Sequence, residues 1–235
     1  MLISIIIPAY NEEDRIIKTL EQIADYINKR KKYNFEIIIV DDGSTDRTLE
    51  IVEKFKELKI KLLQNKKNMG KGFSVKKGIL ESKGEFALFM DADSSTSINE
   101  LDKFLSCKEK QDILIGSRHL KENSILVKQS IIRRIAGFFA HKLIHFIIVS
   151  DIKDTMCGFK MFDKKSKILF KKQLNYRWGF DYELLYLAEK LGFKIKEIPV
   201  IWKDDKKSKV TLAGYLTALI ELFKIRLNDF LGKYN

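Results

Sequence analysis

Proline is scarce, with two in 235 residues, and no Gly-, Ser- or Pro-rich stretch interrupts the chain. Nothing in the composition supplies a flexible linker, so the chain reads as one compact unit with a C-terminal extension. The two cysteines, Cys107 and Cys157, exclude a disulfide framework, and the three histidines do not combine with them at zinc-site spacing. Two thiols lead to the expectation of a reducing compartment. The apolar start, Met1 to Ile7, is too short for a signal peptide or a membrane span. No internal repeat or low-complexity block occurs.

Charge is plentiful and unevenly placed. Residues 1–120 hold 21 Lys+Arg against 20 Asp+Glu, whereas residues 121–235 hold 23 against 12, so nearly all of the net +12 sits in the second half. Such a basic half suits an anionic partner: nucleic acid, a membrane surface or a phosphorylated substrate. No nucleic-acid motif appears, and the aromatics do not interleave with Lys/Arg as stacking platforms do.

Short apolar runs alternate with amphipathic stretches. Ile3–Ile7, Phe35–Val40, Ile60–Gln64 and Phe86–Met90 read as buried strands. Helices are expected over 11–29, with Glu12, Glu13 and Asp14 in the first turn, and over 46–58 and 71–83. The order β-α-β-α-β-α-β predicts a mainly parallel sheet flanked by helices, with ligands at the carboxyl ends of the strands. Pro8-Ala9-Tyr10-Asn11, Asp41-Asp42-Gly43 and Asp91-Ala92-Asp93 all fall at those ends.

The second half is less regular. A strand is expected over 112–117, a helix over 181–191 and a strand over 195–201. Residues 131–149 are apolar almost all round, with Arg134, His141 and His145 on one helical face and Arg133 and Lys142 beside it. A final helix over 212–231 is apolar at 212, 216, 219, 223, 227 and 230. Both helices suit an interfacial position at a membrane, or burial in the core or a dimer contact.

Asp91 and Asp93 place two oxygen ligands two residues apart, which suits Mg²⁺ or Mn²⁺ bridging to a diphosphate. Asp41 and Asp42 could accept from a base N–H or a ribose hydroxyl, or simply make a turn. Asn68-Met69-Gly70-Lys71-Gly72 fits neither the dinucleotide nor the P-loop pattern, and leaves a loop offering Lys71 near a donor. Arg118 ends the fifth strand, where its fork could grip phosphate. Arg133, Lys206, Lys207 and Lys209 are further cations. Asp181 is a candidate base only if the acceptor is a hydroxyl.

Taken together, Ile5–Glu12, Val40–Asp46, Asn68–Gly72 and Met90–Asp93 resemble the family 2 glycosyltransferases of the GT-A fold. Gly116–Arg118, Asp154–Lys160 and Arg177–Leu185 resemble the dolichyl-phosphate β-glucosyltransferases within it, and more loosely the dolichyl-phosphate mannose synthases. The resemblance covers about residues 1–210. It implies a GT-A domain over 1–210, with a nucleotide-binding half to about 120 and an acceptor half beyond, followed by an amphipathic helix over 211–235.

The resemblance implies inverting transfer of a hexose, with UDP-glucose favoured, to a polyprenyl phosphate. Pro8, Ala9, Tyr10, Glu12, Asp41, Asp42, Lys71, Asp91 and Ala92 would line the nucleotide-sugar pocket. Asp91 and Asp93 would hold the metal. Arg118, Arg133 and Lys209 would face the acceptor phosphate or the leaving diphosphate. Mannose synthases often carry Gln where Ser95 stands, which disfavours GDP-mannose. Eukaryotic glucosyltransferases of this kind begin with a membrane-spanning helix that these residues do not contain, so peripheral attachment to a cytoplasmic membrane face is expected. The alternatives are a family 2 enzyme acting on a glycan hydroxyl and an inactive nucleotide-sugar-binding protein.

Overall fold

Strands that are apolar along their whole length need cover on both faces, and the computed structural model shows that cover. It describes residues 1–120, 152–203 and 212–235, with backbone alone for 212–219. Seven strands form one sheet: β1 (Leu2–Ala9), β2 (Asn34–Asp41), β3 (Ile60–Gln64), β4 (Phe86–Met90), β5 (Ile113–Ser117), β6 (Phe159–Asp163) and β7 (Ile195–Pro199), in the order β3-β2-β1-β4-β6-β5-β7. β6 is antiparallel to both neighbours, and the other pairings are parallel. Among the described residues seven α-helices accompany the sheet: α1 (Ile16–Lys29), α2 (Thr48–Lys54), α3 (Lys71–Glu81), α4 (Leu101–Cys107), α5 (Lys167–Lys172), α6 (Phe180–Lys190) and α7 (Leu212–Phe230).

Alternation along the strands sorts the core into two layers. Ile3, Ile5, Ile7, Leu88 and Met90 pack with α1 and α4 on one face. Ile6, Ile38, Ala87 and Phe89 pack with α3, α5, α6 and α7 on the other. The mainly parallel α/β expectation holds, and the observed strands match the expected ones to within two residues.

Two helix boundaries differ by more than two residues, each for a local reason. α1 begins at Ile16 rather than Asn11, so Glu12, Glu13 and Asp14 do not form its first turn. The Asn11, Glu12 and Glu13 N–H groups donate instead to Ser44, Thr48 and Asp46 side chains. α2 stops at Lys54 rather than Leu58, because Phe55 turns extended and enters the core. In α7 the apolar stripe, for which an interfacial and a buried position were both open, points outward from Phe223 onward. Leu222 and Ile225 are buried, while Phe223, Leu227 and Phe230 are exposed.

Strand β6 was not anticipated. Its polar Lys160 breaks the apolar run, and Gly158 precedes it, so five residues carry little strand signal. It matters for the site, because an antiparallel strand starts at the edge where its parallel neighbours end. Gly158 therefore lies against Asp91, whose N–H donates to the Gly158 carbonyl at 3.1 Å.

Candidate active site

β1, β2 and β4 end on one edge at Ala9, Asp41 and Met90, and the loops that follow are stitched together. Asn11 adopts φ 53°; its N–H donates to Ser44 Oγ at 2.9 Å, and its Oδ1 accepts from Thr45 N at 2.8 Å. Asp42 is 3% exposed, and its carboxylate accepts from Asn65 Nδ2 at 2.8 Å, Met69 N at 2.9 Å and Gly70 N at 2.9 Å. It therefore anchors the 65–70 loop, rather than standing open to a base or ribose. Asp41 accepts from Ser44 N. Gly70 is required where it stands: φ is +103°, and a Cβ would lie 2.4 Å from the Tyr176 carbonyl oxygen. The loop delivers Lys71 as the first residue of α3. Tyr10 is exposed at the rim, Pro8 half-buried, and Ala9 buried beneath it.

The 91–95 segment is braced from below. Thr19 on α1 donates to the Ala92 carbonyl at 2.6 Å, and its hydroxyl lies 2.8 Å from Ser94 Oγ. Ser94 has φ 53°, a left-handed residue that turns the chain directly after Asp93. Asp93 Oδ1 accepts from Ser95 N at 2.9 Å, and Arg15 reaches its other oxygen at 3.9 Å. Arg15 itself forks onto Glu12. Burial, reinforced by the neighbouring Asp91 charge, pushes the Asp93 carboxyl above the usual carboxylate range. Asp91 pairs with Lys71 at 2.6 Å, and a Cβ on Gly158 would fall 2.0 Å from its Oδ2.

Behind Asp91 lies an alternating row of charge. Burial alone would depress the Lys71 ammonium, but Asp91 and Asp181 outweigh it and raise it. Lys71 sits 5.2 Å from the Phe89 ring centroid, and Lys160 sits 6.0 Å from the same ring. Lys160 is 0% exposed; its ammonium donates to the Cys157 carbonyl at 2.6 Å and to Asp181. Asp181 opens α6 as expected, yet it is 3% exposed and held by that lysine.

Arg118 follows β5, as expected, with its fork spent on Asp154: Nε at 2.7 Å and Nη2 at 2.8 Å. Burial would raise the Asp154 carboxyl, but Arg118 overcomes it and holds it at about 2. The guanidinium also stacks over Trp202 at 5.4 Å. Arg133, Arg134, His141, His145, Lys206, Lys207, Lys209 and the expected helix over 131–149 lie outside the described residues.

Four residues of this site had no assigned role in the sequence: Arg15, Asp154, Gly158 and Lys160. The last three fall in a stretch noticed only for its family likeness. Arg15 carried a signal, since Glu12-x-x-Arg15 is an acid–base pair at helical spacing.

Asp91 and Asp93 fit a hard divalent cation in their oxygen chemistry and in their need for positive charge. Among the described residues no group of three or more His, Cys, Asp or Glu could hold a metal. A cation there would take its remaining ligands from a diphosphate and water.

Comparison with known proteins agrees with this geometry. The glycosyl transferase family 2 profile matches residues 4–168. A dolichyl-phosphate β-glucosyltransferase of Trichomonas vaginalis is 39% identical over 95% of this chain and 72% of its own length. The Dictyostelium discoideum dolichyl-phosphate β-glucosyltransferase is 37% identical over 98% and 75%. Among solved structures, glucosyl-3-phosphoglycerate synthase from Mycobacterium tuberculosis, in complex with Mn²⁺, uridine diphosphate and glucosyl-3-phosphoglycerate, superposes with a TM-score of 0.71. It is 17% identical, and the match covers 95% of this chain and 79% of that one. The fold is GT-A, and the chain belongs to glycosyl transferase family 2 as a glycosyltransferase.

Proposed function

We propose that this enzyme transfers glucose from UDP-glucose to the phosphate of a polyprenyl phosphate of the dolichyl type, with inversion at the anomeric carbon. The relatives named for this reaction match almost the whole chain. The observation that carries the acceptor class is the state of the acids at the strand-end edge. Asp181 is held by Lys160, Asp154 by Arg118, Glu12 by Arg15 and Asp42 by the 65–70 loop. A sugar-hydroxyl acceptor needs a base free to take its proton. A phosphate monoester is already anionic and needs alignment and cations instead.

In this reading a phosphate oxygen attacks the anomeric carbon as its bond to the diphosphate breaks, and UDP leaves. Asp91 and Asp93 would hold Mg²⁺ or Mn²⁺, which would neutralise the diphosphate charge. Lys71 and Arg15 flank the two aspartates and would meet donor phosphate. Pro8, Ala9, Tyr10, Asp41 and Ala92 would form the wall of the nucleotide pocket, with Glu12 and Asp42 positioning it. Arg118, with Arg133 and Lys209, would face the acceptor phosphate. A panel of UDP-glucose, GDP-mannose and UDP-GlcNAc with polyprenyl phosphate tests the donor. UDP-glucose is expected to give product at least about 10-fold faster than the others, since a site built to bond one sugar's hydroxyls rejects analogues strongly. Equal or faster GDP-mannose turnover overturns the donor assignment.

Such an acceptor lies in a membrane, and no helix among the described residues is long and apolar enough to cross one. We assign attachment to the outward face of α7, where Ile220, Phe223, Leu227, Phe230 and Leu231 are exposed and Lys224, Arg226 and Lys233 stand beside them. An apolar stripe with flanking cations fits an anionic lipid surface on the cytoplasmic side. The protein should sediment with phosphatidylserine-containing vesicles at low salt, and Phe223→Glu/Leu227→Glu should stay in the supernatant. Failure of wild type to sediment, or a dimer dissolved by the same substitutions, overturns this assignment.

A further inference from the structure

We propose that Lys71 is the resting counter-ion of Asp91, and that a divalent cation and the donor diphosphate displace it together, so that each binds tightly only with the other. The inference rests on the reading of Asp91 and Asp93 as the metal site. The Lys71 ammonium lies 2.6 Å from Asp91 Oδ1, which is the position a cation would need. The other carboxylate oxygen of Asp91, Oδ2, lies against Gly158. The Asp91 N–H is bonded to the Gly158 carbonyl, and the carboxylate packs so closely on Gly158 that a single added carbon would overlap it. Lys71 is not free to approach from elsewhere. It is the first residue of α3, whose start is set by Gly70 against the Tyr176 carbonyl, and its ammonium lies 5.2 Å from the Phe89 ring centroid.

A divalent cation arriving alone must therefore expel a positive charge from its own ligand. Two cations on one carboxylate oxygen repel strongly in a partly buried site. A diphosphate changes this balance by giving Lys71 several anionic oxygens in exchange for one. Asp181 and Asp93, the next anions acting on Lys71, keep it nearby during the exchange. The result is positive coupling between cation and nucleotide, which is reciprocal by linkage. A lysine that only touched the donor would behave differently, because its removal would leave the affinity for metal alone unchanged.

The test measures free Mn²⁺ by electron paramagnetic resonance during titration of the full chain, with and without UDP, and needs neither sugar nor acceptor. Wild type is expected to bind Mn²⁺ weakly alone and at least about 10-fold more tightly with saturating UDP, within the usual range of coupling. Lys71→Met is expected to bind Mn²⁺ alone more tightly than wild type and to gain little from UDP. Lys71→Arg, which keeps the charge, should retain the wild-type dependence. Unchanged or weaker Mn²⁺ binding by Lys71→Met alone, with wild type behaving as stated, overturns the exchange and leaves the metal site standing. No Mn²⁺ binding by wild type even with UDP overturns both.

Discussion

Asp93→Asn is expected to reduce turnover by at least about 100-fold while making the metal-free protein more resistant to heat at pH 7. The loss of turnover follows from halving the carboxylate pair that would hold the diphosphate's cation. The gain in stability follows from the direction of the Asp93 titration. Burial and the Asp91 charge raise the carboxyl above its ordinary value. Its favourable contribution is therefore present below the unfolded value of 3.8 and is lost as pH rises through the folded value. At neutral pH Asp93 therefore opposes folding unless a cation is bound, and the asparagine variant escapes that cost. Thermal unfolding in chelator from pH 4 to 8 checks this. The wild-type melting temperature should fall relative to Asp93→Asn as pH rises, and the gap should close when Mn²⁺ and UDP are added to wild type. A variant that is less stable than wild type at pH 7 in chelator, or fully active, contradicts the reading.

Lys160→Met is expected to be among the most damaging single substitutions in the chain, at about 3–5 kcal/mol, because it leaves the Asp181 charge buried without its hydrogen-bonded cation. Lys160 is wholly enclosed between Phe89 and α6, and among the described residues its ammonium donates to the Cys157 carbonyl and to Asp181. Removing both charges is a different matter. Lys160→Met/Asp181→Asn should recover most of the lost stability, since a neutral pair of similar shape carries little desolvation cost. The double variant also reports on chemistry. If the acceptor is a phosphate, losing Asp181 should lower turnover far less than the roughly 100- to 10,000-fold that a general base contributes. Urea unfolding of wild type, the single variant and the double variant measures the first effect, and steady-state turnover of the double variant measures the second. A double variant as unstable as the single one contradicts the ion-pair account. A turnover loss above 100-fold in a folded double variant points back to Asp181 as a base.

Legibility differed between the two halves for a physical reason. Strands β1, β2 and β4 announce themselves because both faces are largely buried, so apolar runs (Ile5–Ile7, Ile37–Val40 and Phe86–Met90) lead up to the polar motifs at the strand ends. The edge that gathers the polar motifs then follows from parallel topology alone. The partners of those motifs did not follow. Nothing near Arg118 in the sequence reveals that Asp154, 36 residues on, takes up its fork. Nothing near Asp181 reveals that it is matched by Lys160 across 21 residues. Both pairs depend on β6 entering the sheet antiparallel, between β4 and β5, and its central lysine disguised it as a loop. α7 was legible only in part. Its apolar periodicity is real, but from Phe223 onward the stripe faces outward, and Leu222 and Ile225 make the core contact instead. Periodicity reports that a face is apolar and leaves open what covers it.

The central claim is that the nucleophile is a lipid phosphate, and acceptor replacement tests it most directly. Purified enzyme with Mn²⁺ and radiolabelled UDP-glucose would be given polyprenyl phosphate, the corresponding polyprenol or an oligosaccharide. A single labelled lipid, acid-labile and β-linked, is expected with polyprenyl phosphate, and no product with the other two. Transfer to the alcohol or to the glycan, with none to the phosphate, would contradict that claim.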